Sequence, residues 1–166
     1  MSLILNKATF QNSLATLPLV SYQAGETVIA DGSRTGRLLI LSKGTVAIVK
    51  EGTEIAKVGE PGAVFGELSV LLDQPHGADV RAMETSEFHV ADASTLLTQN
   101  PVAVLYVATM LAHRLDGANR ALIQLKHQLL TGEPPNVVAK TVSKMEGFLI
   151  ASASLMYAGY PNDPYG

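Results

Sequence analysis

Residues 19–68 read LVSYQAGETVIADGSRTGRLLILSKGTVAIVKEGTEIAKVGEPGAVFGEL. Gly25, Gly32, Gly36, Gly44, Gly52, Gly59 and Gly62 cut this stretch into runs of about four to eight residues rich in Val, Ile, Leu and Thr, the pattern of short strands joined by turns. Within TVAIVK, Val46, Ile48 and Lys50 fall on one face and Thr45, Ala47 and Val49 on the other, a period of two. The LLILSKG run before it is continuously apolar, which predicts a strand buried on both sides. Such strands, continuing to about residue 92, predict an antiparallel sandwich or barrel.

Beyond Asp92 the apolar period lengthens and turn glycines thin out until Gly132. Asn100 before Pro101 forms an N-cap and N1 pair, and Val104, Ala108, Leu111, Leu115, Ala118, Leu122, Leu125 and Leu129 recur at alternating spacings of four and three. The pattern predicts one helix over 101–130, about 45 Å long, which is more than one face of a small barrel covers. Either this helix folds back over the sheet, or its heptad seam over residues 104–129 pairs with a second copy. Gly117 inside it marks a bend or a close-packing point. Gly132, Pro134 and Pro135 stop the helix, and Val138, Val142, Met145, Leu149 and Met156 predict another over about 136–158. The chain thus divides into a unit over 1–130 and a tail over 131–166, with a further short helix near the N-terminus.

Composition narrows the function. Apolar residues make up 47% and charged residues 16%, with mean hydropathy +0.21, so some apolar surface calls for a partner, most simply self-association. A net charge of −3 with 12 Lys and Arg offers no field for a row of phosphates, and the segment after Gly132 is too short for a winged-helix reader, which argues against nucleic acid. With 0 Cys, disulfides, thiolate metal sites and cysteine nucleophiles are excluded, and a cytoplasmic setting is expected. The greasiest late run, GFLIASASLMYA, falls short of the ~20 residues that span a bilayer, so no membrane association is expected. His76, His89, His113 and His127 form no H-x-H or helical H-x-x-x-H pair, and no G-x-S-x-G elbow occurs, so neither a metal site nor a catalytic residue is predicted.

The stretch FGELSVLLDQPHGADV, residues 65–80, carries the candidate chemistry. Gly66 permits close backbone approach, and the helical turn after it opens with N–H groups on Glu67 and Leu68 that lack internal partners, which attracts an anion. A carboxylate at Glu67 repels phosphate yet accepts a hydroxyl proton, so a sugar phosphate meets both demands. The competing reading has Gly66 as a turn residue and Glu67 as an acid complementing the helix dipole.

These residues resemble the phosphate-binding cassette of the cyclic nucleotide-binding domain family, whose usual form is F-G-E, a small apolar helix, then P-R-S/T-A and a strand. The resemblance extends over about residues 18–130: AGETVIADGSRTGRLLILSKGTVAIV is similar to the opening strands, VRAMETSEFHVADASTLL to the closing strand and hinge helix, and PVAVLYVATMLAHRL to the long C helix. It implies a mainly β fold, an eight-stranded antiparallel jelly-roll barrel flanked by helices, of the catabolite activator effector type. It also implies a regulatory module that binds cyclic AMP or cyclic GMP, or a related small phosphorylated ligand, needs no other cofactor, and signals through its C helix to a separate protein effector. The roles implied fall on Phe65, Gly66, Glu67 (taking the ribose hydroxyl) and Leu68, then on His76, Gly77, Ala78 and Val80 along the cassette, with Asn119 on the helix near the base.

The cassette arginine is absent: His76 stands in its place and Gly77 follows. Loss of a bidentate Arg–phosphate contact removes roughly 1.5–3 kcal/mol, about one to two factors of ten in affinity. With an ordinary pKa of about 6.5, about a quarter of His76 is protonated at neutral pH, and a nearby phosphate raises that share, so binding is expected to tighten from about pH 8 to pH 6. Of the other cations, Arg34 and Arg37 lie in a glycine loop within reach of the barrel mouth, and Arg81, nearest in sequence, ranks below them because it falls on the strand face opposite Ala78 and Val80. The alternative is a degenerate fold that has lost or changed its ligand and serves dimerisation or protein interaction, with His76 a plain loop histidine.

Overall fold

The computed structural model describes residues 7–150. Its glycine-punctuated stretch forms β1 (Leu19–Tyr22), β2 (Thr27–Ile29), β3 (Arg37–Lys43), β4 (Val46–Lys50), β5 (Thr53–Val58) and β6 (Val64–Phe65), followed by β7 (Asp79–Ala82) and β8 (Ser86–Asp92). The helices are α1 (Lys7–Ser13), α2 (Glu67–Leu71), α3 (Ala93–Gln99), α4 (Pro101–Thr131) and α5 (Pro135–Ile150). One sheet runs β1-β8-β3-β6 and the other β2-β7-β4-β5, with every pairing antiparallel. Apart from the β4–β5 hairpin, each strand crosses to the sheet opposite its predecessor, which is the jelly-roll pattern.

The continuous apolar run became β3, inside its sheet between β8 and β6, with Leu38, Leu39, Ile40 and Leu41 all buried. It is covered twice because helices close the outer side of this sheet. Phe10 of α1 stacks on Tyr106 of α4 with ring centroids 3.8 Å apart, and the Tyr106 hydroxyl donates to the Gly62 carbonyl at 3.0 Å. Between the sheets, Phe88 meets Tyr22 and Phe65 edge to face.

The long helix begins and ends where its signals place it. Asn100 Oδ1 accepts from the Ala103 N–H at 3.1 Å with Pro101 in the first turn, and Gly132 caps the far end by donating to the Gln128 carbonyl. The next helix reverses direction and returns along α4, so α4's distal half has an intramolecular partner. Arg114, Gly117, Ala118 and Ala121, at i, i+3, i+4 and i+7, are the buried residues of that shared face. A Cβ at Gly117 would lie 2.3 Å from the Phe148 ring, so this position is a close-packing point for α5.

The expected heptad seam is thereby modified. Ala118 is buried on the α5 side and Leu111 and Leu125 are half-buried, whereas Val104, Ala108, Leu115, Leu122 and Leu129 remain exposed. The final helix is described as far as Ile150, and the expected continuation through Met156 to 158 lies outside the described residues. Among the described residues no single helix is long and apolar enough to cross a membrane, and no group of three His, Asp or Glu is placed to hold a metal ion.

Candidate functional site

Strand β6 delivers Phe65 to the inside of the barrel, and the chain then has to turn sharply into α2. Gly66 makes that turn with φ +93°, and a Cβ there would sit 2.5 Å from the Arg37 carbonyl oxygen, so both conformation and space require glycine. The first bond inside α2 joins the Val70 N–H to the Gly66 carbonyl, which leaves the N–H groups of Glu67, Leu68 and Ser69 without partners in the helix. Below this turn lies a cavity of about 190 Å³.

Phe65, Gly66, Glu67, Leu68, His76, Gly77, Ala78 and Val80 all line it, together with Ile29, Ile48 and Val64 from the barrel interior. Asn119 does not. It lies five residues beyond Arg114, about 140° around the helix, and its side chain is exposed. The residue that α4 does contribute is Arg114, which the sequence did not single out.

Arg114 and Glu67 form a buried ion pair, with side-chain exposures of 8% and 7% and Nη1 to Oε1 at 2.5 Å. Glu67 is therefore no solvated acid at a helix start. The remaining guanidinium donors go to α5: Nε to the Phe148 carbonyl at 3.1 Å and Nη2 to the Leu149 carbonyl at 2.7 Å. Leu149 also lines the cavity, so barrel, long helix and returning helix meet at one arginine.

His76 is 6% exposed, and burial lowers its pKa below the ordinary histidine value. Its Nε2 lies 3.1 Å from Thr35 Oγ1, its N–H donates to the Ser33 carbonyl, and its carbonyl accepts from the Gly32 N–H. The β2–β3 loop thus clamps the cassette, and His76 is a neutral, packed imidazole at neutral pH. The cations weighed as substitutes face elsewhere. Arg34 bonds the carboxylate and carbonyl of Asp73, Arg81 bonds Asp79 on the exposed side of β7, and Arg37 opposes Asp92 across β3 and β8. Among the described residues, Arg114 is the Lys or Arg that lines the cavity.

Two carboxylates support this frame from outside. Asp79 is held below the usual carboxylate range by the Asp31 N–H and by Arg81, and Asp92 by the Thr95 N–H at the start of α3. The first fixes β7 against the end of β2, and the second fixes the exit from β8 into the helices.

Comparison with known proteins agrees with this geometry. Residues 19–99 match the family model described as cyclic nucleotide-binding domain. An uncharacterized ABC transporter ATP-binding protein of Mycobacterium tuberculosis is 31% identical over 118 residues, 69% of this chain and 31% of that protein. Glutaminase 2 of Bradyrhizobium diazoefficiens is 33% identical over 106 residues, 59% of this chain and 17% of that protein. This chain therefore spans a third or less of either relative's length. The catabolite activator protein of Thermus thermophilus shares the fold, with a TM-score of 0.57 and 22% identity over 89% of this chain and 81% of that one. Through residues 19–99, the chain belongs to the cyclic nucleotide-binding domain family.

Proposed function

We propose that this chain is a regulatory module that binds cyclic AMP or cyclic GMP in the cavity under α2, performs no chemistry of its own, and passes occupancy to α4. The observation that carries the reading is the buried Glu67–Arg114 pair in the cavity wall, beside the open N–H groups of Glu67, Leu68 and Ser69. Glu67 accepts the ribose hydroxyl, the N–H groups meet the phosphate, and Arg114 supplies the cation that the cassette lacks at His76. Phe65, Ile48 and Val80 provide the apolar wall against which the rest of the ligand rests. Without a forked arginine in the cassette, affinity falls short of a complete site by roughly 1.5–3 kcal/mol.

The exposed Val104, Leu115, Leu122 and Leu129 on one side of α4 support a homodimer through residues 104–129, and a separate protein then reads its arrangement. The test of ligand class is calorimetric titration with cyclic AMP, cyclic GMP and linear 5′-AMP, using wild type and Glu67→Gln. Saturable heat with a cyclic nucleotide, weakened about tenfold or more in Glu67→Gln, is the expected result. Equal affinity in the two proteins, or no heat with any of the three, contradicts it.

A further inference from the structure

A backbone carbonyl carries two lone pairs, so a helix carbonyl can accept from a side chain outside its own helix. In α5 (Pro135–Ile150), the carbonyls of Phe148 and Leu149 accept from Nε and Nη2 of Arg114, a side chain from another helix. The same guanidinium holds Glu67 through Nη1 and lines the cavity. Its bonding thus couples the Phe148–Leu149 turn of α5 to the wall of the site.

Two further observations place α5 at the mouth of the cavity. Leu149 is part of the lining, and the Phe148 ring fills the notch left by Gly117, holding this turn of α5 down on α4. With α5 so placed the cavity measures about 190 Å³, below the roughly 300–1,000 Å³ of ordinary small-molecule pockets. A nucleotide-sized ligand needs more room, and the α5 wall is held at Arg114 by neutral carbonyls, which an anion displaces.

We propose that the Phe148–Leu149 turn of α5 is an internal latch on the site: it caps Arg114 in the unliganded protein, and an anionic ligand competes with the Phe148 and Leu149 carbonyls for that guanidinium. A phosphate offers Arg114 a charged, two-point acceptor where α5 offers two neutral carbonyls, so ligand entry favours release of the turn. Coupling is reciprocal: whatever holds α5 down weakens the ligand, and whatever frees it strengthens the ligand by the same factor. The competition step rests on the anion-binding reading above; the capping of α5 by Arg114 does not.

Hydrogen exchange on the full chain tests both parts. In ligand-free protein, Arg114→Gln and Gly117→Val are expected to speed exchange of the Met145–Leu149 amides by about tenfold while β3 and β8 amides keep their wild-type rates. Gly117→Val leaves Arg114 and Glu67 in place and acts only by displacing Phe148, so it guards against a general loss of fold in Arg114→Gln. Unchanged exchange at Met145–Leu149 in Gly117→Val overturns the latch, whatever the ligand does.

With 1 mM cyclic AMP or cyclic GMP, wild-type Met145–Leu149 amides should exchange faster, and Gly117→Val should bind the nucleotide about tenfold more tightly in calorimetry, within the usual range of coupling. Binding with unchanged or slower exchange there overturns the latch and leaves the ligand reading intact. No heat from either protein overturns the ligand reading and with it the competition step. The ligand-free comparison alone then decides whether Arg114 holds α5.

Discussion

Glu67 and Arg114 are each almost withdrawn from water, and neither charge would be stable there alone. Removing one partner of such a pair typically costs about 3–5 kcal/mol, because the other is left buried and uncompensated. For this reason Glu67→Gln, which keeps the shape and an acceptor oxygen, probes the site better than truncation. His76 carries a separate consequence. Burial holds its folded pKa below the unfolded value of about 6.5, so as pH falls the unfolded chain takes up the proton first. The stability contributed by neutral His76 is present above about pH 6.5 and lost as pH falls through the depressed folded value. Denaturant melts at pH 7.5 and 5.5 should show wild type losing more stability than His76→Gln; equal losses would remove His76 as the cause. Asp79 and Asp92, whose pKa values are lowered by N–H donors, act in a separate and more acid window, below about pH 4. The same burial moves the binding profile. A ligand phosphate still raises the pKa of His76, but from a lower start, so binding should keep tightening below pH 6 instead of levelling there.

At the scale of elements, α4 has two apolar faces and the structure covers one of them. The face with Gly117, Ala118 and Ala121 lies under α5, while Leu115, Leu122 and Leu129, spaced by seven, stay 60%, 54% and 64% exposed. Wild type should therefore run as a dimer in light scattering at tens of micromolar, and the double variant Leu115→Glu, Leu122→Glu as a monomer with its nucleotide affinity changed by less than about threefold. A monomeric wild type contradicts the seam. The helix limits were legible from Asn100, Pro101 and Gly132, because caps and breakers act on the local backbone. The return of α5 was not: Gly132 and Pro134 announce a stop, but the direction taken afterwards depends on Phe148 finding Gly117 and on Arg114 finding the α5 carbonyls.

For the whole molecule, the jelly roll was legible because turn glycines and alternating strands repeat the same information many times over. The cassette side of the cavity lining was legible for a similar reason, since Phe65, Gly66, Glu67, His76, Gly77, Ala78 and Val80 lie within one short stretch. Arg114 was hidden. It meets Glu67 across 47 residues of sequence, and no local spacing marks a helix arginine as buried. Thr35, which bonds His76 across 41 residues, was hidden in the same way. Barrel and helices are joined by Tyr106, whose hydroxyl reaches the Gly62 carbonyl in a buried setting. Tyr106→Phe keeps the stack on Phe10 and leaves that carbonyl without this donor, so it should lower unfolding free energy by about 1–2 kcal/mol in urea titration, with no change in the slope.

The most direct check on the central claim is calorimetric titration of cyclic AMP and cyclic GMP into wild type beside His76→Arg. If the cavity under α2 is a cyclic nucleotide site complete except for its cassette cation, wild type binds weakly and the variant tighter by about one to two factors of ten. Absence of binding by both proteins would contradict the account.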